Sequence, residues 1–160
     1  MVTTVAEIRS SVAQFHRKIE ETCSSVDTIA LHWKKDPDTW SVAQILAHVA
    51  EFEHFFGDDV RRLHDSPGSR FGRTMEDAKR LNAVMMTGNE SLADLLTNLS
   101  EGRQYFLAVL DDLTDDDLSI EGTNPKFGTK SIGWVIGHFI VEHLEKHASQ
   151  LQRTLAAYES

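Results

Sequence analysis

The sequence predicts an all-α protein, a four-helix bundle, and three observations carry that prediction. Apolar residues recur at steps of three and four over four long stretches. The chain of 160 residues holds only three prolines, and these (Pro37, Pro67 and Pro125) all fall between the stretches. Residues that cap helices stand where the stretches begin. Four amphipathic rods of this length bury their stripes against one another as a bundle. No repeat, linker or low-complexity tract divides residues 1–160, so one domain is expected.

The first stretch places Val5, Ile8, Val12, Phe15, Ile19, Cys23 and Val26 on one face. Cys23 lies on that stripe and reads as a small buried thiol rather than a reactive one. Residues 27–40, with Asp36-Pro37-Asp38, read as a connection. A helix then starts at Trp40-Ser41-Val42-Ala43-Gln44-Ile45: Ser41 caps, Gln44 reaches back, and Trp40 is placed to staple onto Ile45. It continues through Val49, Phe52, Phe56, Val60 and Leu63 and stops near Ser66-Pro67-Gly68. A short extra helix is expected over 75–86, capped by Thr74 and closed near Gly88. The third long helix runs from about Ser91 to Leu113 and tolerates Gly102 at some cost. Residues 114–130 hold Asp115-Asp116-Asp117 and the turn formers Gly122, Pro125 and Gly128. The acidic run reads as a solvated turn, because three consecutive side chains do not converge on a cation without a purpose-built loop. The last helix runs from near Ser131 to about Tyr158, and Gly133 and Gly137 would let a neighbouring helix come close.

Composition narrows the function classes. Net charge is −9, which argues against a nucleic-acid partner, since a phosphate backbone selects basic faces. Arg61-Arg62 and Lys79-Arg80 read as isolated, solvated pairs. No apolar run approaches the ~20 residues of a membrane span, and the first residues do not form a secretory signal. A single cysteine fits a reducing compartment, so a cytoplasmic protein is expected.

The eight histidines sort by helix face. In His143-Leu144-Glu145-Lys146-His147 two imidazoles four residues apart aim at one point. They continue the apolar stripe from Phe139 or Ile140 to Leu151. His48 sits inside the seam of the second helix, three after Ile45 and four before Phe52. Buried imidazoles need partners, and three inward-facing ones repel each other if protonated. Two arrangements answer this: a divalent cation held by neutral His48, His143 and His147, or separate hydrogen bonds in the core. His138 is turned about 140° from His143 on an ideal helix and His54 about 120° from His48, so neither belongs to the set. His16, His32 and His64 read as surface residues. Glu51 and Glu142 stand where they could orient an imidazole or simply face solvent.

The segments Trp40-Ser41-Val42-Ala43-Gln44-Ile45-Leu46-Ala47-His48 and His143-Leu144-Glu145-Lys146-His147-Ala148-Ser149-Gln150-Leu151 resemble the DinB/YfiT-like superfamily. The family shows a Trp-Ser helix start leading to one histidine, then His-x-x-x-His followed by a Gln-aliphatic pair in the last helix. Leu113-Thr114-Asp115-Asp116-Asp117-Leu118 resembles the acidic turn after the family's third helix. The resemblance implies an up-down-down-up bundle, a frequent homodimer, and a divalent metal, usually zinc or nickel, on His48, His143 and His147. It also suggests a small-molecule substrate and a low-molecular-weight thiol, with the metal activating a thiolate for S-transfer or isomerisation. Metal-assisted hydrolysis and a non-catalytic, stress-related metal-binding module are the alternatives. No general base stands out.

Overall fold

The computed structural model describes residues 3–160. Four long helices carry it: α1 (Val5–Cys23), α3 (Val42–Asp65), α5 (Leu92–Asp111) and a composite last rod. That rod joins α6 (Ile132–Ile136) through a π-helical turn (Gly137–Val141) to α7 (Glu142–Glu159). Two short helices sit in the connections, α2 (Thr28–His32) and α4 (Ala78–Ala83). Between α5 and α6 lie a 3-10 turn (Asp116–Ser119) and a hairpin of β1 (Glu121–Asn124) and β2 (Gly128–Ser131).

Local chemistry sets the helix starts. Thr4 Oγ1 accepts from Glu7 N at 3.1 Å, and Ser91 Oγ from Asp94 N at 3.1 Å. At α3 the capping box closes in both directions: Gln44 N donates to Ser41 Oγ at 3.2 Å, and Ser41 N donates to Gln44 Oε1 at 2.9 Å.

Contacts between helices give their directions. Arg9 pairs with Asp111, and Glu20 with Arg103 at 3.6 Å, so α1 and α5 run in opposite senses. Ala50 lies against Gly102, Gly57 against Tyr105, and Arg61 pairs with Asp112 at 3.8 Å. Both numbers rise together, so α3 and α5 are parallel. Phe52 meets His143 and Phe56 meets Phe139, so α3 and the last rod are antiparallel. The bundle is therefore up-down-down-up, with α1 and α3 each packed on α5 and α7 and facing one another across the diagonal. Val12, Ile19, Leu46, Val49, Phe56 and Phe106 are among the residues of its core.

Gly102 has a packing reason: a Cβ there would stand 3.0 Å from the Ala50 carbonyl oxygen. The pair Gly133 and Gly137 does not act as expected. A Cβ on Gly133 would meet Leu118 O at 3.3 Å in the 3-10 turn, while Gly137 faces open space. The short helix spans only Ala78–Ala83, and Asp77 caps it rather than Thr74. The expected connection over 27–40 contains α2, capped by Asp27, whose Oδ1 accepts from Ala30 N at 2.8 Å.

The hairpin was not expected, since its strands lack an alternating apolar pattern. It forms because the chain leaving α3 supplies a partner edge. Phe71 N donates to Thr123 O at 2.9 Å and Thr123 N to Ser69 O at 2.9 Å. At Gly122 a Cβ would lie 2.8 Å from the Ser69 carbonyl oxygen, a backbone atom that cannot swing aside, so only glycine admits this approach. Among the described residues, no helix is long and apolar enough to cross a membrane.

Candidate metal centre

His48 from α3 and His143 and His147 from α7 converge. Nε2 of His143 lies 2.9 Å from Nε2 of His48 and 3.0 Å from Nε2 of His147. His48 and His147 are buried and His143 half-buried. Ligand atoms on a tetrahedral ion bound at 2.0–2.1 Å stand about 3.3–3.4 Å apart, so the two sides that meet at His143 need to open by only a few tenths of an ångström, and all three ligand atoms lie within 4.8 Å of one another.

The surroundings explain why the imidazoles are neutral. The Trp40 ring lies 4.8 Å from His48, and Phe52 stacks on His143 at 3.8 Å. Burial pushes His48 down to about 3, reinforced by His147 and by Arg80, Arg73 and Lys146. Burial and the two neighbouring imidazoles depress His143 as well, and burial lowers His147. A neutral imidazole keeps a lone pair for a metal. Nδ1–H of His147 donates to Gln150 Oε1 at 2.6 Å, which turns the Nε2 lone pair toward the cluster. Nδ1 of His48 is buried without a partner. Three converging lone-pair donors with no carboxylate beside them fit a divalent cation.

The two carboxylates considered for orienting these rings do other work. Glu51 grips Arg73, with Nη1 donating at 2.7 Å, and Glu142 pairs with His138 at 3.3 Å. Gln150 is the orienting group, one turn beyond His147. His138 stays outside the cluster, stacked on Trp134 at 4.8 Å. His54 stacks against Tyr105 at 4.8 Å, outside the cluster as well.

His16 is a correction. It is 0% exposed, and its Nε2 sits 2.8 and 2.9 Å from the two carboxylate oxygens of Glu53, itself 1% exposed. The pair bridges α1 and α3 across the bundle diagonal. Burial raises Glu53 above the usual carboxylate range, against the pull of His16. The signal was in the sequence, because His16 is four after Val12 and three before Ile19. That is the same face test that singled out His48. His32 is half-buried rather than exposed; its Nε2–H donates to Glu90 O at 3.0 Å. His64 is partly exposed beside Asp65 and Asp117. Cys23 is buried and its thiol is pushed up to about 11, an inert residue as expected.

A helical bundle whose second and fourth long rods bring three neutral imidazoles together defines a class of histidine-site four-helix protein. The profile of the DinB superfamily matches residues 12–151, and the chain belongs to that superfamily. Among solved structures it is similar to YfiT from Bacillus subtilis, described as "a probable metal-dependent hydrolase with an unusual four-helix bundle topology". That likeness has a TM-score of 0.72 at 15% identity and covers 95% of this chain and 87% of the other. It is also similar to the colibactin self-resistance protein ClbS, solved in complex with a dsDNA, at a TM-score of 0.66 and 13% identity. That match covers 94% of each chain. No curated protein sequence matches the chain significantly.

The ClbS complex overturns one expectation. Net charge does not exclude nucleic acid for this fold. The physical reason is that −9 is a sum over the whole surface, whereas a phosphate backbone responds to a local group of cations. The implied homodimer is not shown by either likeness.

Proposed function

We propose that the protein is a metal-dependent hydrolase whose divalent cation is held by His48, His143 and His147. The single observation behind this reading is the convergence of three Nε2 atoms, at 2.9 and 3.0 Å, in a wall of apolar rings. Catalytic sites keep three protein ligands and an open position, whereas structural sites close with four; among the described residues no further His, Cys, Asp or Glu joins the group. When bound, such an ion polarises a carbonyl or phosphoryl oxygen and lowers the pKa of water. The chain's own residues have clear parts. Gln150 fixes the tautomer of His147, and Trp40 and Phe52 keep water from the rear of the imidazoles. Arg73 and Arg80 supply a positive field that favours negative charge developing nearby.

The test is metal content of protein purified without a metal column, followed by ester and phosphoester hydrolysis. About one divalent ion per chain is expected, with the choice between zinc and nickel read directly. His143→Ala should lower metal affinity at least a hundredfold and abolish hydrolysis, while the folded helix content persists. Absence of metal from the tag-free protein, or equal turnover by His143→Ala, removes the proposal. Turnover that appears only with added thiol would replace it by the S-transfer chemistry that the family resemblance implies.

A further inference from the structure

A cavity of about 350 Å³ opens beside the histidine cluster, within the size range of small-molecule sites, about 300–1,000 Å³. The two share a wall: Phe52 lines the cavity on one side and stacks on His143 at 3.8 Å on the other. The lining is unusual in two respects.

Its apolar part is aromatic. Phe52, Phe56, Phe71, Phe127 and Phe139 all contribute, five of the chain's eight phenylalanines. Phe56 and Phe139 are stacked with centroids 4.2 Å apart and planes within 6°. Such faces suit a flat apolar body.

Its charged part reverses the balance of the chain. Acidic residues outnumber basic ones 25 to 16 overall, yet the lining has Arg70, Arg73, Arg80 and Lys126 and no carboxylate. Arg73 is committed to the scaffold, gripped by Glu51 and lying 3.9 Å over the Phe55 ring. Even so its Nε–H is buried without a partner. Arg70, Arg80 and Lys126 have no ion-pair partner among the described residues. Arg80 is half-buried and Arg70 and Lys126 are exposed, so an anion entering the cavity meets cations that no carboxylate of the lining competes for.

We propose that this cavity binds a small organic anion, a carboxylate on a planar apolar body, and that such anions are the substrate class of the adjoining centre. The second clause rests on the metal-dependent reading above; the first does not. Arg80, with Arg70 and Lys126, holds the carboxylate, and the phenylalanines hold the body.

Calorimetric titration with 2-naphthoate and its neutral counterpart 2-naphthamide tests this. Naphthoate should bind at least tenfold more tightly than naphthamide. Arg80→Gln should weaken naphthoate five- to tenfold and leave naphthamide unchanged, with Arg70→Gln as a second variant of the same kind. Phe127→Ala should weaken both. His143→Ala, which removes the metal centre, should keep the acid-over-amide preference, so failure of the metal reading is separable from failure of the cavity. Equal affinity for acid and amide, or no effect of either arginine variant, overturns the proposal. So does displacement of naphthoate by a 12-base-pair DNA duplex at lower concentration than by another arenecarboxylate, which would assign the cations to a nucleic-acid backbone.

Discussion

Two buried histidine sites in one bundle solve the same problem in opposite ways. At the diagonal between α1 and α3, His16 is closed off by the carboxylate of Glu53, with both oxygens within 2.9 Å. Between α3 and α7, three imidazoles face one another with no acid at hand, and the charges that reach them (Arg73, Arg80 and Lys146) are all positive. The first site finds its counter-group within the chain, although Nδ1 of His16 is left buried without a partner. The second has no counter-group among the described residues, and on the function proposed above a cation completes it. Burial alone therefore does not mark a functional histidine; the kind of partner that burial leaves it with does.

The largest effect that sharpens this contrast comes from splitting the closed site. His16→Leu strands Glu53 in the core and should cost about 3–5 kcal/mol in urea unfolding, the toll of an uncompensated buried charge. The double change His16→Leu with Glu53→Leu should recover most of that loss. If the single variant is as stable as the parent, Glu53 does not depend on His16 for its place in the core.

Acid distinguishes the sites next. The three clustered imidazoles have folded pKa values below the ordinary 6.5, His48 at about 3. Below pH 6.5 the unfolded chain binds protons that the folded chain refuses, so stability is full above that pH and falls as pH drops toward 3. Metal-free protein should lose about 1.4 kcal/mol per pH unit for each fully buried imidazole, read as a falling Tm between pH 6.5 and 4. His48→Leu should flatten that slope. A Tm that stays level over this range would contradict the burial argument.

The smallest effect concerns the tautomer. Gln150→Ala removes the acceptor of the His147 Nδ1–H and should weaken metal binding about tenfold, with Tm of the metal-free protein nearly unchanged. A competition titration with a chromophoric chelator measures it.

Much of this was legible in the sequence, and the failures have physical reasons. The long helices follow from the three-four rhythm of Val5 to Cys23 and Ile45 to Leu63, and Ser41 with Gln44 announced a capping box that forms as read. The wheel puts His48, His143 and His147 on inward faces and leaves two arrangements open; the family resemblance implies the shared one, and the three converge. His16 has no partner at useful spacing along the chain and so reads as a surface residue; its actual partner, Glu53, is 37 residues away on another helix. The β1–β2 hairpin was illegible for a different reason: its order comes from Ser69, Phe71 and Leu63, distant in sequence. The π-helical turn at Gly137–Val141 leaves no compositional trace, yet it changes the winding between α6 and α7. Arg80, read as half of a solvated pair, lines the cavity because of where the chain between α3 and α5 is routed.

That routing is forced. With α3 and α5 pointing the same way, the chain must travel back along the bundle between Asp65 and Leu92. Over residues 66–91 its one fully buried side chain is Phe71, with Met86 packed half-buried against the core. Arg70, Arg73 and Arg80 all ride on this return leg. Ligand preference can thus be regrafted there, by exchanging one surface segment, while the helices that hold the histidines keep their packing.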